Sequence, residues 1–348
     1  MHNMLITTIA FFLSSCILSF SYASDSFVSA SFDDLKGWGA EQGVAVRPVL
    51  LNSCQKLRRS NFDGRTSFGS YKQWKDLCYQ LSRINDSEVK EFFEKNFTVY
   101  RVAPGSSGLF TGYYSPVYEG RLTTEPGFEV PLLKVPNLQR RGGFKKSDSR
   151  AVIEQKIKDG KIKSSQVLVW IKSSVDKFFL QIQGSGQIRL KDGTILYVGY
   201  AGNNGQRYVS IGRVLKERGE LEKVSMSTIR GWLESNLGKQ QALFNENPRY
   251  IFFGKTKHGA ITAQGVPATA YRTMAVDPKF IPYGTPLWVD TELTASKQSF
   301  KQMMVAQDTG SAIKGAVRGD IYMGTGMHAE KLAGEQQAPG KLYIIVPK

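Results

Sequence analysis

Two aspartates near the C-terminus have the spacing and setting expected of a site for acid–base chemistry. Asp308 and Asp320 stand in the segment 306–326, AQDTGSAIKGAVRGDIYMGTG, which contains no Glu and no His. Apolar residues precede Asp308 and follow Asp320, and glycines punctuate the loop between them. Because glycine costs order and carboxylates resist burial, this arrangement predicts an acid placed where a polymer can approach closely.

Asp320 is the better candidate for proton transfer. A glycine precedes it and an Ile-Tyr pair follows it, so a partly apolar setting is expected to raise its carboxyl pKa towards neutrality. Asp308 is expected to orient Asp320 or to hold the surrounding loops by accepting backbone N–H bonds. Asp277 is a third acid, at the end of a predicted strand. Each of these acids, taken alone, also fits a turn or cap role.

No metal or cofactor is expected. His258 and His328 are the only histidines beyond the first few residues, and no acids have calcium-loop spacing. The Gly-Ser-Gly segment at 184–186 is too short for a dinucleotide-binding fingerprint and lacks the context of a nucleophile elbow. The chemistry is therefore expected to rest on carboxylates alone.

Amides, hydroxyls and aromatic rings in the middle of the chain have the composition of a carbohydrate groove. Gln181 and Gln183 are expected at alternate positions of one strand, hence on one face, before a compact turn that contains Ser185. Asn203 follows among several tyrosines. The segment 111–115, TGYYS, adds hydroxyls and aromatics at a domain junction. The alternatives are an ordinary Tyr-rich hairpin for the first set and packing between domains for the second.

The elements that must position these residues are mostly strands. A chain of 348 residues is about two domains long, and its helical periodicity is mostly in the first third. Helices are expected at 44–57, 71–82, 87–96, 149–159 and 227–237. Six short strands would close a small barrel without open edges: 99–102, 271–276, 285–289, 303–307, 320–323 and 342–346.

The middle of the chain has strands of its own. Apolar runs at 167–171 and 178–183 are expected to be strands, and 189–196 to be a hairpin with Asp192-Gly193 at its turn. This block is therefore predicted to be an insertion, with a groove between it and the barrel. The expected division is a barrel domain from 24–115 and 272–348, and an inserted domain at 116–271.

The first 23 residues predict export. Residues 4–20 are an apolar run too short and too polar to span a membrane stably, and Ser21-Tyr22-Ala23 is a suitable cleavage site. Residues 1–23 are thus expected to be a signal peptide and the protein to be periplasmic. The alternative is the segment ending at Cys16, which resembles a lipoprotein processing box and would anchor the protein to the outer membrane.

Two cysteines, Cys54 and Cys78, remain after such processing. They are an even pair in an oxidising compartment, and both lie on predicted helices. A disulfide that clamps two helices is expected. Two buried free thiols are the alternative.

The formal net charge of +16 favours an anionic partner or surface. Nucleic acid is not expected, because an exported chain rarely meets it and the basic residues lack zinc-finger spacing or an aromatic RNA-binding motif. Cell-wall peptides, phosphate-bearing lipids and teichoic-type polymers fit better. A well-solvated basic surface is the alternative.

Five segments together resemble the MltA family of lytic murein transglycosylases, in the right order over most of the chain. They are FTGYYSP at 110–116, FFLQIQGSG at 178–186, GYAGNNGQRYVSIG at 199–212, NPRYIFF at 247–253 and DTGSAIKGAVRGDIY at 308–322. The acids Asp277, Asp308 and Asp320 resemble those of the 3D domain. Ser311 departs from the Gly-Gly pair usual in the family's DxGGAIKG motif, which leaves the conformation of this loop open.

The resemblance implies a mainly β fold: a double-psi β-barrel domain with N-terminal helices, and an inserted second β domain across a groove that holds the glycan strand. It also implies that the β-1,4 bond between N-acetylmuramic acid and N-acetylglucosamine is cleaved without water. Asp320 would be acid and then base, with Asp308 in support and Asp277 more distant. The implied glycan-lining residues are Thr111, Tyr114, Ser115, Gln183, Ser185 and Asn203.

Peptidoglycan glycan strands are thus the expected partner of a monomer that uses no cofactor, with outer-membrane association as a further expectation. Two alternatives belong to other classes. One is a non-catalytic peptidoglycan-binding protein, which the presence of Asp320 disfavours. The other is a hydrolysing muramidase, which would need a second acid acting on water or on the anomeric carbon.

Overall fold

The chain folds around two β-sheets, of eight and six strands. The computed structural model describes residues 27–41, 43–62, 68–136 and 148–348, so the predicted signal peptide, Cys16 and the basic residues at 140–146 lie outside the described residues. The strands are β1 (Phe27–Ala30), β2 (Phe97–Val102), β3 (Gly108–Ser115), β4 (Val117–Arg121), β5 (Val130–Leu133), β6 (Val167–Ile171), β7 (Ser185–Arg189), β8 (Ile195–Asn203), β9 (Ile251–Lys255), β10 (Thr273–Ala275), β11 (Pro286–Leu293), β12 (Gln298–Asp308), β13 (Arg318–Thr325) and β14 (Gln337–Pro347).

Helices flank both sheets. Across the described ranges, none of them is long and apolar enough to cross a membrane. The helices are α1 (Trp38–Glu41), α2 (Arg47–Cys54), α3 (Arg59–Phe62), α4 (Tyr71–Leu81), α5 (Val89–Asn96), α6 (Arg150–Lys158), α7 (Ser174–Gln183), α8 (Ile211–Glu217), α9 (Met226–Ser235), α10 (Gln240–Glu246) and α11 (Gly326–Glu335).

The eight-stranded sheet contains a closed barrel. Its strand order is β1-β2-β14-β11-β12-β10-β13-β3, and β3 also pairs with β14. The ring therefore consists of six strands, β14, β11, β12, β10, β13 and β3. The sequence predicted six strands but placed residues 99–102 in the ring, which is wrong. That segment belongs to β2, which pairs with β14 outside the ring, and β3 closes it.

The barrel core is apolar and continuous with the N-terminal helices. Met303, Met304 and Val305 on β12 are fully buried. Trp288 on β11 packs edge-on against Trp38 of α1, with ring centroids 5.9 Å apart. Through such contacts the N-terminal helices share the core of the barrel, although they precede it in the chain.

The six-stranded sheet belongs to the inserted segment and has the order β5-β6-β4-β7-β8-β9. It has a core of its own, in which Val169, Ile188 and Val198 are fully buried. The predicted hairpin is confirmed: β7 and β8 pair antiparallel, and Gly193 at the turn has φ of 84°. A left-handed φ of this kind is available to glycine at little cost.

One strand prediction in the inserted segment is wrong. Residues 178–183 belong to the helix α7, so Gln181 and Gln183 do not alternate along a strand. A short apolar run does not by itself distinguish a buried helix from a buried strand. The capping residues decide here, because the Ser173 side chain accepts hydrogen bonds from Val175 and Asp176, and Gly184 ends the helix with φ of 80°.

A disulfide joins Cys54 at the end of α2 to Cys78 in α4, which confirms the predicted pair over the two-thiol alternative. The bond closes a loop with a sequence separation of 24 residues. We expect Cys54→Ser/Cys78→Ser to lower the free energy of unfolding by about 3 kcal/mol, chiefly because the unfolded chain gains entropy. Urea titration under oxidising conditions measures this. If the wild type and the double variant still differed in free energy of unfolding after the wild-type disulfide had been reduced, the explanation would be contradicted.

Candidate active site

The barrel brings Asp308 and Asp320 to the two sides of one short strand. Strand β10 lies between β12 and β13, and Ala275 on β10 is paired with Asp308 on one side and with Asp320 on the other. The two acids therefore lie at the same level of the barrel, at one end of β12 and near the start of β13. The loop between these strands, residues 309–317, shares a cavity with Asp320, which it lines through residues 310–313.

Asp320 is held by a chain of hydrogen bonds that begins at an arginine. Thr111 on β3 is paired with Asp320 in the sheet, and its Oγ1 donates to Asp320 Oδ1 at 2.5 Å. Arg318 Nη2 donates to the same Thr111 oxygen at 2.8 Å. The Thr111 hydroxyl has a single hydrogen. Because its oxygen accepts from Arg318, that hydrogen is left to point towards Asp320. One oxygen of the carboxyl group is thereby fixed as an acceptor.

The pKa of Asp320 is raised above the ordinary aspartate value. Burial is the largest cause. The Thr111 hydrogen bond and the Arg318 charge lower the pKa, and the nearby Asp308 charge raises it. In the part of the chain that the structure describes, Oδ2 of Asp320 accepts no hydrogen bond. That oxygen is available to carry a transferable proton, and the residue borders a cavity of about 130 Å³.

Gly319 allows β13 to approach its neighbours closely beside Asp320. A Cβ atom at this position would lie 2.6 Å from the Met274 sulfur and 2.8 Å from Phe110 Cδ1. Real side chains do not tolerate such contacts, so any larger residue would push β13 away. The glycine before the acid is thus needed for close packing and not for a special φ value.

Asp308 has the character of an anchor. Its Oδ1 accepts from the backbone N–H groups of Ala263 and Thr309, both at 2.9 Å, and its Oδ2 accepts from Tyr113 Oη at 2.8 Å. Burial raises the pKa of Asp308, and these three hydrogen bonds oppose the rise. The carboxyl group therefore ties together the end of β12, the 260–263 segment and strand β3.

Asp277 stabilises the loop that leads to Asp320. It is 3% exposed, and its oxygens accept from the backbone N–H groups of Lys279 and Gly315 at 3.1 and 3.0 Å. Gly315 has φ of 108°, whereas Ser311 is exposed and does not adopt a positive φ. The serine in place of the usual glycine therefore causes no backbone strain here.

A groove lies between the barrel and the inserted segment. Its larger cavity has a volume of about 380 Å³ and includes Gln183, Ser185, Tyr200 and Asp308 in its walls. The smaller cavity, beside Asp320, shares Gln181, Ile182, Arg249, Ile251, Gly310 and Ser311 with it. The two cavities are therefore adjacent parts of one trench that passes both acids.

The other predicted groove residues have different positions. Tyr114 and Ser115 are fully buried, so neither contacts a ligand in the trench. Gln183 Oε1 accepts from the backbone N–H of Tyr114 at 3.0 Å and thereby joins the inserted segment to the barrel. Asn203 donates to Tyr200 Oη at 2.5 Å and supports this half-exposed ring at the trench wall.

The sequence analysis did not identify Arg318 or Arg249 as site residues, and it included Tyr113 only as one of the aromatics of the 111–115 segment. Arg318 had a usable signal, since residues two apart in a strand share a face and Asp320 follows it at that spacing. The Tyr113 contact with Asp308 comes from pairing between distant strands, which no local pattern shows. No cluster of three or more potential metal-ligating side chains occurs within the described ranges.

Two domain families match the chain. The MltA specific insert domain matches residues 109–254, and the 3D domain matches residues 272–346. The chain is 35% identical over 246 residues to membrane-bound lytic murein transglycosylase A of Escherichia coli K12, an alignment that covers 68% of this chain and 65% of that relative. The chain thus spans somewhat less than two thirds of the relative's length.

Solved structures agree with this similarity over nearly the whole chain. A membrane-bound lytic murein transglycosylase from Agrobacterium tumefaciens has a TM-score of 0.80 at 30% identity, covering 92% of this chain and 98% of that one. Escherichia coli MltA with bound chitohexaose has a TM-score of 0.68 at 28% identity, covering 88% and 90%.

Proposed function

This chain belongs to the MltA family of lytic murein transglycosylases, and on that premise we propose that it cleaves the glycan strands of peptidoglycan without water. The bond cleaved would be the β-1,4 bond between N-acetylmuramic acid and N-acetylglucosamine, and the product would be a 1,6-anhydromuramyl sugar. The observation that carries the proposal is Asp320, which has one oxygen held by Thr111 and the other free beside the trench.

Asp320 acts first as a general acid. The raised pKa keeps a larger fraction of the carboxyl group protonated near neutral pH than an exposed aspartate would have. Its proton passes to the glycosidic oxygen as the bond between that oxygen and C1 of the muramyl residue breaks. The leaving sugar departs with a neutral hydroxyl group, and Asp320 becomes a carboxylate.

Asp320 then acts as a general base. Its carboxylate removes the proton from the C6 hydroxyl of the same muramyl residue, and O6 bonds to C1 to close the anhydro ring. The proton lost in the first step is regained in the second, so neither water nor a second catalytic acid is consumed. A hydrolysing glycosidase needs a second carboxyl group for the anomeric carbon or for water.

Asp308 is assigned a supporting role on its hydrogen bonds. A carboxylate with three donors already bound has little capacity to exchange a proton with substrate. Its negative charge helps to keep the Asp320 pKa raised. Asp277 acts one step further away, through the loop that ends at Arg318.

The product identifies the reaction. We expect purified protein incubated with murein sacculi to release muropeptides that end in anhydromuramic acid, each lighter by one water than the corresponding reducing-end product. Mass spectrometry of the released fragments measures this. Reducing-end products would show a muramidase instead, and binding without release would show a non-catalytic wall-binding protein.

Thr111→Val is expected to shift the pH profile. The Thr111 hydrogen bond stabilises the carboxylate and lowers the pKa of Asp320, so its loss raises that pKa further. Activity that needs protonated Asp320 falls as the pH rises through this pKa, so the alkaline limb moves to higher pH. The maximal rate also falls, about tenfold, because the carboxyl group is less well oriented.

Thr111→Ser is the matched control, because it keeps the hydroxyl group between Arg318 and Asp320. The pH dependence of kcat/KM, measured on soluble glycan fragments, compares the two variants. If Thr111→Val lowered the maximal kcat/KM but left the alkaline limb at the wild-type pH, Thr111 would not set the pKa of Asp320.

We further propose that the protein works as a monomer in the periplasm, where its substrate lies. The Cys54–Cys78 disulfide supports an oxidising compartment. Fractionation of cells that express the full chain tests this, and labelling with a fatty-acid analogue separates a soluble protein from one anchored at Cys16.

A further inference from the structure

Two guanidinium groups beside the trench form no salt bridge with a described carboxylate. Arg150 and Arg249, both in the inserted segment, line the cavity that also contains Asp320. Neither forms a salt bridge with any described carboxylate, although other cations of the insertion do, such as the buried Lys177 with Glu154 at 2.8 Å and the partly buried Arg230 with Asp176 at 2.8 Å. Glu154 also acts electrostatically on Arg150. Arg249 is partly withdrawn from water with no salt bridge to a described carboxylate; this is costly and points to a function for its charge.

Arg249 has donor positions that no described residue fills. Its Nη1 donates to the Gln206 carbonyl oxygen at 3.1 Å. Its Nε is buried without a hydrogen-bond acceptor, and none of the described residues accepts from its Nη2. Nε and Nη2 form the edge of the guanidinium group that matches the two oxygens of a carboxylate. A buried donor without an acceptor is rare in folded proteins unless a ligand or an ordered water supplies one.

Arg150 fixes the position of Arg249. It is 1% exposed, and its guanidinium donates to the carbonyl oxygens of Asn247 and Arg249 at 2.9 and 2.6 Å and to Gln181 Oε1 at 2.6 Å. Its Cζ atom lies 4.8 Å from the ring centroid of Phe178. Arg150 therefore has no open donor edge of its own. It holds the backbone of Arg249 and adds a second positive charge behind it.

The surroundings favour an anion close to the reacting bond. Among the described residues that line the two cavities, the acids are Asp308, which is bound by three donors, and Asp320. Arg249 borders both cavities, as do Gly310 and Ser311 of the loop that precedes Asp320. Of the two basic side chains that line this small cavity, Arg249 is therefore the one with donors left for an anionic group of a sugar positioned at Asp320.

We propose that Arg249 is a specificity residue that binds a carboxylate carried by the muramyl part of the substrate, with Arg150 as its positioning residue. The inference rests on the proposed function and names the feature that distinguishes a muramyl glycan from an uncharged one. The carboxylate has two possible sources. It belongs either to the lactyl group of a muramyl residue without a peptide, or to the peptide stem attached there.

Binding measurements separate this inference from the catalytic proposal. In an Asp320→Asn background the glycan stays intact, and affinity is measured by calorimetry with three hexasaccharide-length ligands: chitohexaose, which has no carboxylate, stem-free muramyl glycan and stem-bearing muramyl glycan. We expect Arg249→Gln to weaken binding of at least one muramyl ligand by about 10- to 100-fold, as for loss of a hydrogen-bonded charge pair. Chitohexaose affinity is expected to stay within about twofold.

The pattern of losses identifies the source. Weaker binding of stem-free glycan alone assigns the lactyl carboxylate, and weaker binding of stem-bearing glycan alone assigns the stem. Weaker binding of both muramyl glycans would mean that this site binds the lactyl carboxylate and the stem carboxylate alike. Equal losses for all three ligands, or for none, would overturn the inference and leave Arg249 with a role in holding the Gln206 loop only.

Two further variants guard the interpretation. Arg249→Lys keeps the charge but not the pair of donors on one guanidinium edge, so its affinity for the muramyl ligands is expected to lie between those of Arg249→Gln and the wild type. This variant provides the test if Arg249→Gln folds poorly. Arg213→Gln removes the same charge from an exposed position on α8, where Arg213 pairs with Glu217 at 3.5 Å. A loss in Arg213→Gln that matched Arg249→Gln would mean that general positive charge, and not this site, attracts the ligand.

Discussion

Asp320→Asn is expected to lower the rate of glycan cleavage by roughly 10³- to 10⁴-fold, because the amide can neither give nor take the proton. The variant keeps the shape of the side chain and one oxygen to accept the Thr111 hydroxyl proton. Glycan binding and the fold are therefore expected to be retained. Initial rates on sacculi and circular dichroism of the purified variant measure both expectations.

The same substitution is expected to stabilise the folded protein above neutral pH. A raised pKa means that the folded state disfavours the charged carboxylate relative to the unfolded chain. That cost is fully present above the folded-state pKa of Asp320 and disappears as the pH falls below the ordinary aspartate value. Asn carries no charge and avoids this cost, so the difference in Tm between variant and wild type should be largest at alkaline pH and vanish in acid.

Asp290→Asn is the control for both results, since it makes the same change on β11, away from the trench. It should leave the cleavage rate unchanged. Normal formation of anhydro products by Asp320→Asn would overturn the assignment of the catalytic acid. A lower Tm at every pH would instead show that the Asp320 carboxylate stabilises the fold.

Asp308→Ala is expected to lower the free energy of unfolding by roughly 3 kcal/mol or more, because three donors lose their acceptor together. Each buried donor left without a partner costs about 1–3 kcal/mol, although Tyr113 can turn its hydroxyl group. The segments that meet at Asp308 also shape the trench, so activity should fall with stability. Urea titration gives the first quantity and product release the second.

Asp308→Asn tests the anchor role directly. Its remaining oxygen can still accept from Ala263 and Thr309, and its amide can donate to the Tyr113 oxygen in place of the reverse bond. This variant should therefore unfold close to the wild-type midpoint and keep a measurable cleavage rate. If it were as inactive as Asp320→Asn while remaining fully folded, Asp308 would take part in proton transfer itself.

Local patterns predicted much of the barrel correctly. Apolar runs bounded by glycine and polar residues placed β10 to β14 near their actual positions, because strands of a closed barrel bury alternate side chains and need turns between them. The pattern was less informative for the inserted segment. There the run that forms α7 has the composition of a strand, and its capping residues Ser173 and Gly184 were the better indicators.

The sequence by itself singled out Asp308 and Asp320, the mainly β fold and the cysteine pair. The fold follows from spacings of a few positions, which local backbone geometry converts directly into faces and turns, and the cysteine pair follows from the count of cysteines. Only the tertiary structure decided that β3, and not β2, closes the barrel, that Thr111 and Arg318 hold Asp320, and that Arg249 of the inserted segment lines the same cavity. Such contacts join residues that are far apart in the chain, and their partners are selected by sheet register and packing of the whole molecule, which no short window of sequence contains.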